Sequence, residues 1–137
     1  MTPNALLDDL DRQLIQAACE VRERAYAKYS QFLVGAALLG EDGRIHRGCN
    51  VENISFGLTS CAERNAVFAG IAAGCRRFTR LALATRGGVT PCGACRQVLA
   101  EFAEDLAIVI VDVVKPEVAA RWTLRELLPG QFDSLGD

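Results

Sequence analysis

An α/β layered domain with a mixed sheet is the fold class this sequence predicts, and three observations predict it. Helix-period and strand-like apolar segments alternate along the chain. Their order opens with a helix and a hairpin, then alternates helix and strand, which suits helices packed on a sheet. The length, 137 residues with 50% hydrophobic and 23% charged, is that of one globular domain with one core. With no internal repeat, low-complexity segment or linker, residues 1–137 are expected to form a single domain.

Thr2-Pro3 can open the first helix, with Thr2 as cap and Pro3 in the first turn. Leu7, Leu10, Leu14, Ala18, Val21 and Ala25 then recur at helical spacing, to an end near Lys28. Phe32 to Leu39 reads as a buried strand. Glu41-Asp42-Gly43-Arg44 is an Asp-Gly hairpin turn, and Ile45 to Val51 returns as the second strand. The stretch from Asn50 to Ser60 has neither period and reads as a loop.

The second helix is expected over Cys61 to Ala73, ended by Gly74. From Ala66 to Ala73 it is apolar or glycine all round, so it must be covered on more than one side. One sheet face cannot do this in so small a domain, and another subunit is expected to. Phe78 to Thr85 is the third strand, Arg86-Gly87-Gly88 a turn, and Cys92 to Ala103 the third helix. Leu106 to Val113 is the fourth strand, rich in β-branched residues. The turn Val114-Lys115-Pro116-Glu117 is too short for a parallel crossover, so a fifth strand, Val118 to Thr123, should run antiparallel to the fourth. Leu124 to Leu128 is a short helical turn before Pro129-Gly130.

The net charge of −2 gives no basic excess for gripping a polynucleotide. No apolar run approaches the ~20 residues that span a bilayer. The N-terminal stretch lacks the basic start and apolar core of a secretory signal. Six cysteines then point to a reducing compartment, and a cytoplasmic location is expected.

Three of those cysteines carry chemistry. Cys61 stands in Cys61-Ala62-Glu63-Arg64, and Cys92 and Cys95 in Pro91-Cys92-Gly93-Ala94-Cys95-Arg96. Three thiolates suit Zn2+ and leave one of its four positions for water, which a carboxylate such as Glu63 can deprotonate. Cys92 and Cys95, three apart, share a helix face. Cys61 and Glu63 converge only if the helix begins at Cys61 and the metal sits beyond its end. Two helix N-termini would offset the net negative charge of the ion and its thiolates. Arg64 and Arg96 stand beside the ligands as hydrogen-bond donors to sulfur. The alternatives are a structural zinc site closed by Cys49, Cys75 or His46 in a module without activity, and a redox Cys-x-x-Cys, which has no use for Cys61 and Glu63. Cys19, Cys49 and Cys75 read as small buried hydrophobes, and His46, the only histidine, as a surface residue.

Cys-x-Glu followed by Pro-Cys-x-x-Cys is also the signature of zinc-dependent deaminases. The chain resembles the small homotetrameric cytidine deaminases almost end to end. The likeness runs through Tyr29-Ser30-x-Phe32-x-Val34-Gly35-Ala36-Ala37-Leu38, Gly48-Cys49-Asn50-Val51-Glu52-Asn53, both cysteine motifs, and Glu126-Leu127-Leu128-Pro129-Gly130-x-Phe132. The resemblance implies a three-layer α/β/α fold with a mixed five-stranded sheet. It also implies hydrolytic deamination of cytidine and 2′-deoxycytidine, in pyrimidine salvage, by a homotetramer with shared active sites. Cys61, Cys92 and Cys95 match the zinc ligands, Glu63 the proton shuttle and Arg64 the partner of the ligand sulfurs. Phe32 matches the ring that packs on the pyrimidine. Asn50 and Glu52 match the pair that holds the ribose hydroxyl. The Ala62 amide and Thr90 carbonyl match groups around the reacting end of the base, and Phe132 an aromatic that reaches a neighbour's site. Phe56 stands where the family usually has tyrosine, Ser60 and Asn65 are atypical, and the Arg86–Val89 loop is short. A deaminase of a modified nucleoside or of a blasticidin-like antibiotic is the alternative within the same chemistry.

Overall fold

The computed structural model describes residues 2–3, 7–116 and 119–136. In chain order the elements are β1 (Thr2–Pro3), α1 (Asp9–Arg22), β2 (Gly35–Gly40), β3 (Ile45–Cys49), a 3-10 turn (Phe56–Leu58), α2 (Ala62–Ala72), β4 (Phe78–Thr85), α3 (Gly93–Glu101), β5 (Ala107–Asp112), β6 (Ala119–Thr123) and α4 (Leu124–Leu127). They form one mixed sheet in the order β1-β6-β5-β4-β2-β3. The hairpin β2–β3, the pair β2–β4 and the pair β5–β6 are antiparallel; β4 and β5 are parallel, joined by the α3 crossover. The expected five strands are present, and Thr2–Pro3 adds a short sixth at the β6 edge.

Strand periodicity sorts the core into two layers. Ala37, Leu39, Ala82, Ala84, Val109 and Val111 face α1 with its Leu14, Ala17 and Ala18. Ala36, Leu38, Leu81, Leu83, Ile108 and Ile110 face the other way, onto Ala62, Ala66 and Val67 of α2, Leu99 of α3 and Leu124 of α4. Both faces of the central strands are covered, so those strands read as continuous apolar runs.

The first helix departs from expectation at both ends. It starts at Asp9, because Asp8 caps it: Asp8 Oδ1 accepts from the Asp11 N–H at 2.8 Å, and Asp11 answers on the Asp8 N–H. Thr2 and Pro3 pair with Arg121 and Ala120 instead, and residues 4–6 of the expected helix lie outside the described residues. It ends at Arg22 because the Tyr26 backbone is spent elsewhere. Its N–H donates to Asn50 O (2.9 Å) and its carbonyl accepts from the Glu52 N–H (2.8 Å). The second strand begins at Gly35, which leaves Phe32–Val34 as irregular chain at the strand's mouth, and the third ends at Cys49. His46 is buried, not at the surface. It points with Gly48 to the face of β3 that α2 covers, while Arg47 between them faces solvent.

Candidate active site

The two halves of the cysteine motif meet where two helices begin. Cys61 is the N-cap residue of α2 and Cys92 that of α3, both extended, and neither sulfur caps its own helix. The boundary that the chemistry required therefore stands: Cys61 lies just outside the first turn and Glu63 within it. The sulfurs of Cys61, Cys92 and Cys95 lie within 4.8 Å of one another, those of Cys92 and Cys95 at 3.4 Å. Four-coordinate zinc with ~2.3 Å bonds to sulfur needs sulfurs about 3.8 Å apart, so the cluster fits that ion. The first amides of both helices have no intrahelical acceptor and turn positive potential toward the sulfurs.

Hydrogen bonding with Cys95, helped by the Arg64 guanidinium, pulls the Cys61 thiol down to about 5 against its burial. The same bond to Cys61, with burial, pushes Cys95 up. Cys61 and Cys95 thus share a hydrogen bond among crowded sulfurs, an arrangement that a bound cation replaces. Arg64 Nη2 donates to Cys61 Sγ at 3.3 Å and to Thr59 O at 3.4 Å. Its buried Nε has no hydrogen-bond partner among the described residues. Arg96 does not join it. Its Nε donates to Pro91 O (2.7 Å), Nη1 to Leu127 O (2.6 Å) and Nη2 to Thr90 Oγ1 (3.1 Å). It ties the start of α3 to α4, because the backbone carbonyls around it leave no donor for sulfur.

Glu63 is 6% exposed. Burial first, and the charge of Cys61 second, push its carboxyl up to about 7 against its own backbone N–H. It opens with Cys61, Ala62, Thr90 and Cys92 into a cavity of about 270 Å³ whose other walls are Ser30, Phe32, Val34, Asn50, Glu52, Thr59, Leu83, Thr85 and Val89. The cavity sits at the carboxyl end of β4, as ligand sites do in open α/β sheets. A larger cavity, about 510 Å³ between Glu41, Arg77, Phe78, Thr79, Glu104, Asp105 and Arg125, contains no thiol or imidazole.

At the other end of the smaller cavity the side chains are held by polar bonds. Asn50 Oδ1 accepts from the Val34 N–H (2.9 Å) and Nδ2 donates to Phe32 O (2.8 Å), which fixes Phe32 in the wall. Glu52 Oε1 accepts from the backbone N–H groups of Tyr29 (2.9 Å) and Ser30 (3.1 Å), and Oε2 accepts from Ser30 Oγ. These bonds hold the Glu52 carboxyl below the usual range, with the Ser30 hydroxyl the leading cause. Phe56 stacks edge-on against Tyr29 at 5.7 Å.

Of the residues expected to bind substrate, Phe132 stands apart from this cavity. It is 66% exposed on the C-terminal tail, where its carbonyl accepts from Gln97 Nε2 at 2.8 Å. Ser30 escaped the sequence reading, although its place beside Phe32 was a signal. So did the job of Asn65: Nδ2 donates to Cys49 O (2.7 Å) and Oδ1 accepts from Ser60 Oγ (2.6 Å), locking the start of α2 to the end of β3. Cys49, Cys75 and His46 do not close the three-sulfur cluster; His46 and Cys75 belong to a different group of side chains.

Residues 8–111 match the family model described as the cytidine and deoxycytidylate deaminase zinc-binding region. The cytidine deaminase of Sporosarcina psychrophila is 48% identical over 122 residues, covering 88% of this chain and 89% of that protein. That of Mycobacterium tuberculosis is 41% identical, with 92% of each covered. Among solved structures, the cytidine deaminase of Burkholderia pseudomallei superposes with a TM-score of 0.83 at 44% identity, over 88% of this chain and 98% of that one.

Proposed function

This chain belongs to the family of cytidine and deoxycytidylate deaminases with a zinc-binding region, and from that premise we propose how its own residues perform the reaction. It is a zinc-dependent aminohydrolase that converts cytidine and water to uridine and ammonia. The observation that carries the assignment of residues is the meeting of three sulfurs and a buried carboxyl at one end of a cavity whose other end is polar.

Cys61, Cys92 and Cys95 hold the zinc, which when bound acidifies water from a pKa of about 15.7 toward ~7. Glu63 takes a proton from the attacking water and delivers it to N3 of the ring as the C4–O bond forms. It then carries the proton of the new C4 hydroxyl to the amino nitrogen, the C4–N bond breaks as C4=O forms, and ammonia leaves. A carboxyl that burial holds near neutrality is suited to accepting and returning a proton. Phe32 packs on the pyrimidine face. The Ala62 amide and Thr90 carbonyl face the reacting end of the base. The Nδ2 hydrogen and Oδ1 lone pair that Asn50 does not spend on Phe32 and Val34, together with the Glu52 carboxylate, take the ribose hydroxyl.

The same reading extends to 2′-deoxycytidine, to pyrimidine salvage in the cytoplasm and to a homotetramer. Among the described residues no helix is long and apolar enough to cross a membrane. Phe68 is 52% exposed on α2, beside exposed Ala69 and Ala72, and Phe132 projects from the tail. These are apolar surfaces for neighbouring copies, with Phe132 reaching the next site.

Ammonia release from cytidine, 2′-deoxycytidine and blasticidin S, followed together with zinc content and mass in solution, tests the reading. Turnover of both nucleosides by a tetramer with zinc in the three-cysteine site is the expected result. Zinc-loaded protein that releases ammonia only from the antibiotic, or from none of the three, overturns it.

A further inference from the structure

At the far end of α2 from the catalytic cavity lies a second group of metal-ligating side chains. Asp42 sits in the β2–β3 turn, His46 on β3 and Cys75 just past the end of α2. One donor atom of each lies within 4.8 Å of the others. The His46 side chain is 7% exposed, its ring edge-on to Phe78 at 6.0 Å. Its Nε2 has no hydrogen bond, though Asp42 Oδ2 is 3.3 Å away. A buried ring nitrogen without a partner costs stability unless something fills the place.

Gly40 is what lets the three donors gather. A Cβ on Gly40 would stand 2.5 Å from Asp42 Oδ1, 2.5 Å from Cys75 Sγ and 3.2 Å from His46 Nε2. A carboxylate oxygen, a sulfur and an imidazole nitrogen thus converge beside the Gly40 backbone, which they can do only because residue 40 has no side chain. Zinc bonds to such atoms are ~2.0–2.3 Å long, so small side-chain movements bring all three into range.

A thiolate and a carboxylate supply two negative charges for a divalent ion, with imidazole as the third ligand and the Arg44 guanidinium against the far side of Asp42. The Cys75 thiol, which donates to Arg77 O at 3.2 Å, gives up that hydrogen on ligation. In the catalytic cluster three thiolates leave one negative charge, which Arg64 and two helix ends offset. The mixed sulfur, nitrogen and oxygen set selects a borderline ion such as Zn2+ or Co2+ over Mg2+ or Ca2+. The Arg44 N–H holds Asp42 ionised, at 2.9 Å from Oδ1, and the Arg44 guanidinium occupies Oδ2, also at 2.9 Å.

We propose that Asp42, His46 and Cys75 form a second metal site, for a zinc-like divalent ion, that clamps the C-terminal end of α2 to the β2–β3 hairpin. The ion touches no substrate. It holds steady the helix whose opposite end carries Cys61 and Glu63.

The test starts from protein already holding its catalytic zinc and adds Co2+, which reports thiolate ligation by a near-ultraviolet charge-transfer band. Metal per chain is measured alongside the melting temperature. The wild-type chain should take up a second equivalent with the intensity of one sulfur, and its melting temperature should rise. Cys75→Ser and His46→Gln should bind the second ion at least tenfold more weakly and lose the rise. Both should keep one zinc and wild-type turnover of cytidine, which also shows that they fold. Saturation at one metal per chain, or equal uptake of the second ion by either folded variant, overturns the proposal.

Discussion

The two ends of the catalytic cavity are built by opposite means. The sulfur end rests on the first turns of α2 and α3, with Cys95, Ala62 and Glu63 buried. Its geometry follows from helix starts, which Arg64, Asn65 and Arg96 tie to the neighbouring backbone. The polar end is turn and loop, from Tyr29 to Val34 and from Asn50 to Thr59. There Ser30, Asn50 and Glu52 spend their polar atoms holding the backbone. Phe32 is 38% exposed and Phe56 72%. On the proposed mechanism, chemistry thus sits on helix starts and recognition on hydrogen-bonded loop segments, as expected where loops are displayed on a scaffold. Damage at the first end should remove turnover or metal. Damage at the second should move KM.

Glu63→Gln is the sharpest test of this division. Glutamine keeps the size and the buried packing but cannot carry a proton. Turnover should fall roughly 10³-fold or more, in the range that positioned acid–base groups contribute, with zinc content unchanged. Steady-state rates and metal analysis check it. A variant with more than a tenth of wild-type turnover would remove the carboxyl from the mechanism.

Arg64→Gln works at the same end without touching the reaction. It removes the donor to Cys61 Sγ and the nearest positive charge. Loss of such an outer partner weakens metal binding by about 10- to 100-fold. Competition with a chelator reads that change, and zinc in excess should restore much of the activity. Unchanged zinc affinity would mean that helix ends alone balance the thiolates.

The contrast also explains what was legible in the sequence. Cys61, Glu63, Cys92 and Cys95 were readable because their convergence depends on one local fact, where a helix begins. β4 is found with its expected bounds, since its apolar run is buried on both faces. The first helix was misplaced because a Thr-Pro start and an Asp8-Asp11 capping box competed, and the box makes the real bonds. His46 looked superficial because its burial comes from α2 lying across β3, a contact no local pattern encodes. Arg96 stood beside a ligand in sequence, yet carbonyls from Pro91 and from Leu127 claim its guanidinium. Long-range hydrogen bonding of that kind leaves no trace in spacing.

Glu52→Gln probes the polar end. The amide can still accept from the Tyr29 and Ser30 N–H groups, but it loses the charge that the Ser30 hydroxyl bonds. A site built around a sugar hydroxyl discriminates by pairing it. KM for cytidine should rise about tenfold with kcat within a factor of about two, since charge-assisted bonds are worth roughly 1.5 kcal/mol more than none. A fall in kcat with KM unchanged would merge the two ends into one functional unit.

The smallest effect is expected at Gln31, between the Ser30 that binds Glu52 and the Phe32 of the wall. Its φ of 61° is in the left-handed region, and it is the only non-glycine residue there among those described. Its N–H donates to Ala27 O at 2.8 Å, and the following Phe32 N–H donates to Ser30 Oγ at 3.0 Å, so the bend is held from both sides. A side chain in this conformation costs about 1 kcal/mol, and glycine relieves that cost while adding roughly as much freedom to the unfolded chain. Gln31→Gly should therefore leave urea stability within about 1 kcal/mol of wild type. Gln31→Val, with a branched Cβ, should lose about 1–2 kcal/mol and raise KM, because relieving its strain displaces Phe32. Zinc content and Glu63-dependent turnover at saturating cytidine should be untouched in both. If valine at 31 lowered kcat or released zinc, the loop and the helix ends would be mechanically coupled, and the division between a recognition end built on loop and a chemical end built on helix starts would fail.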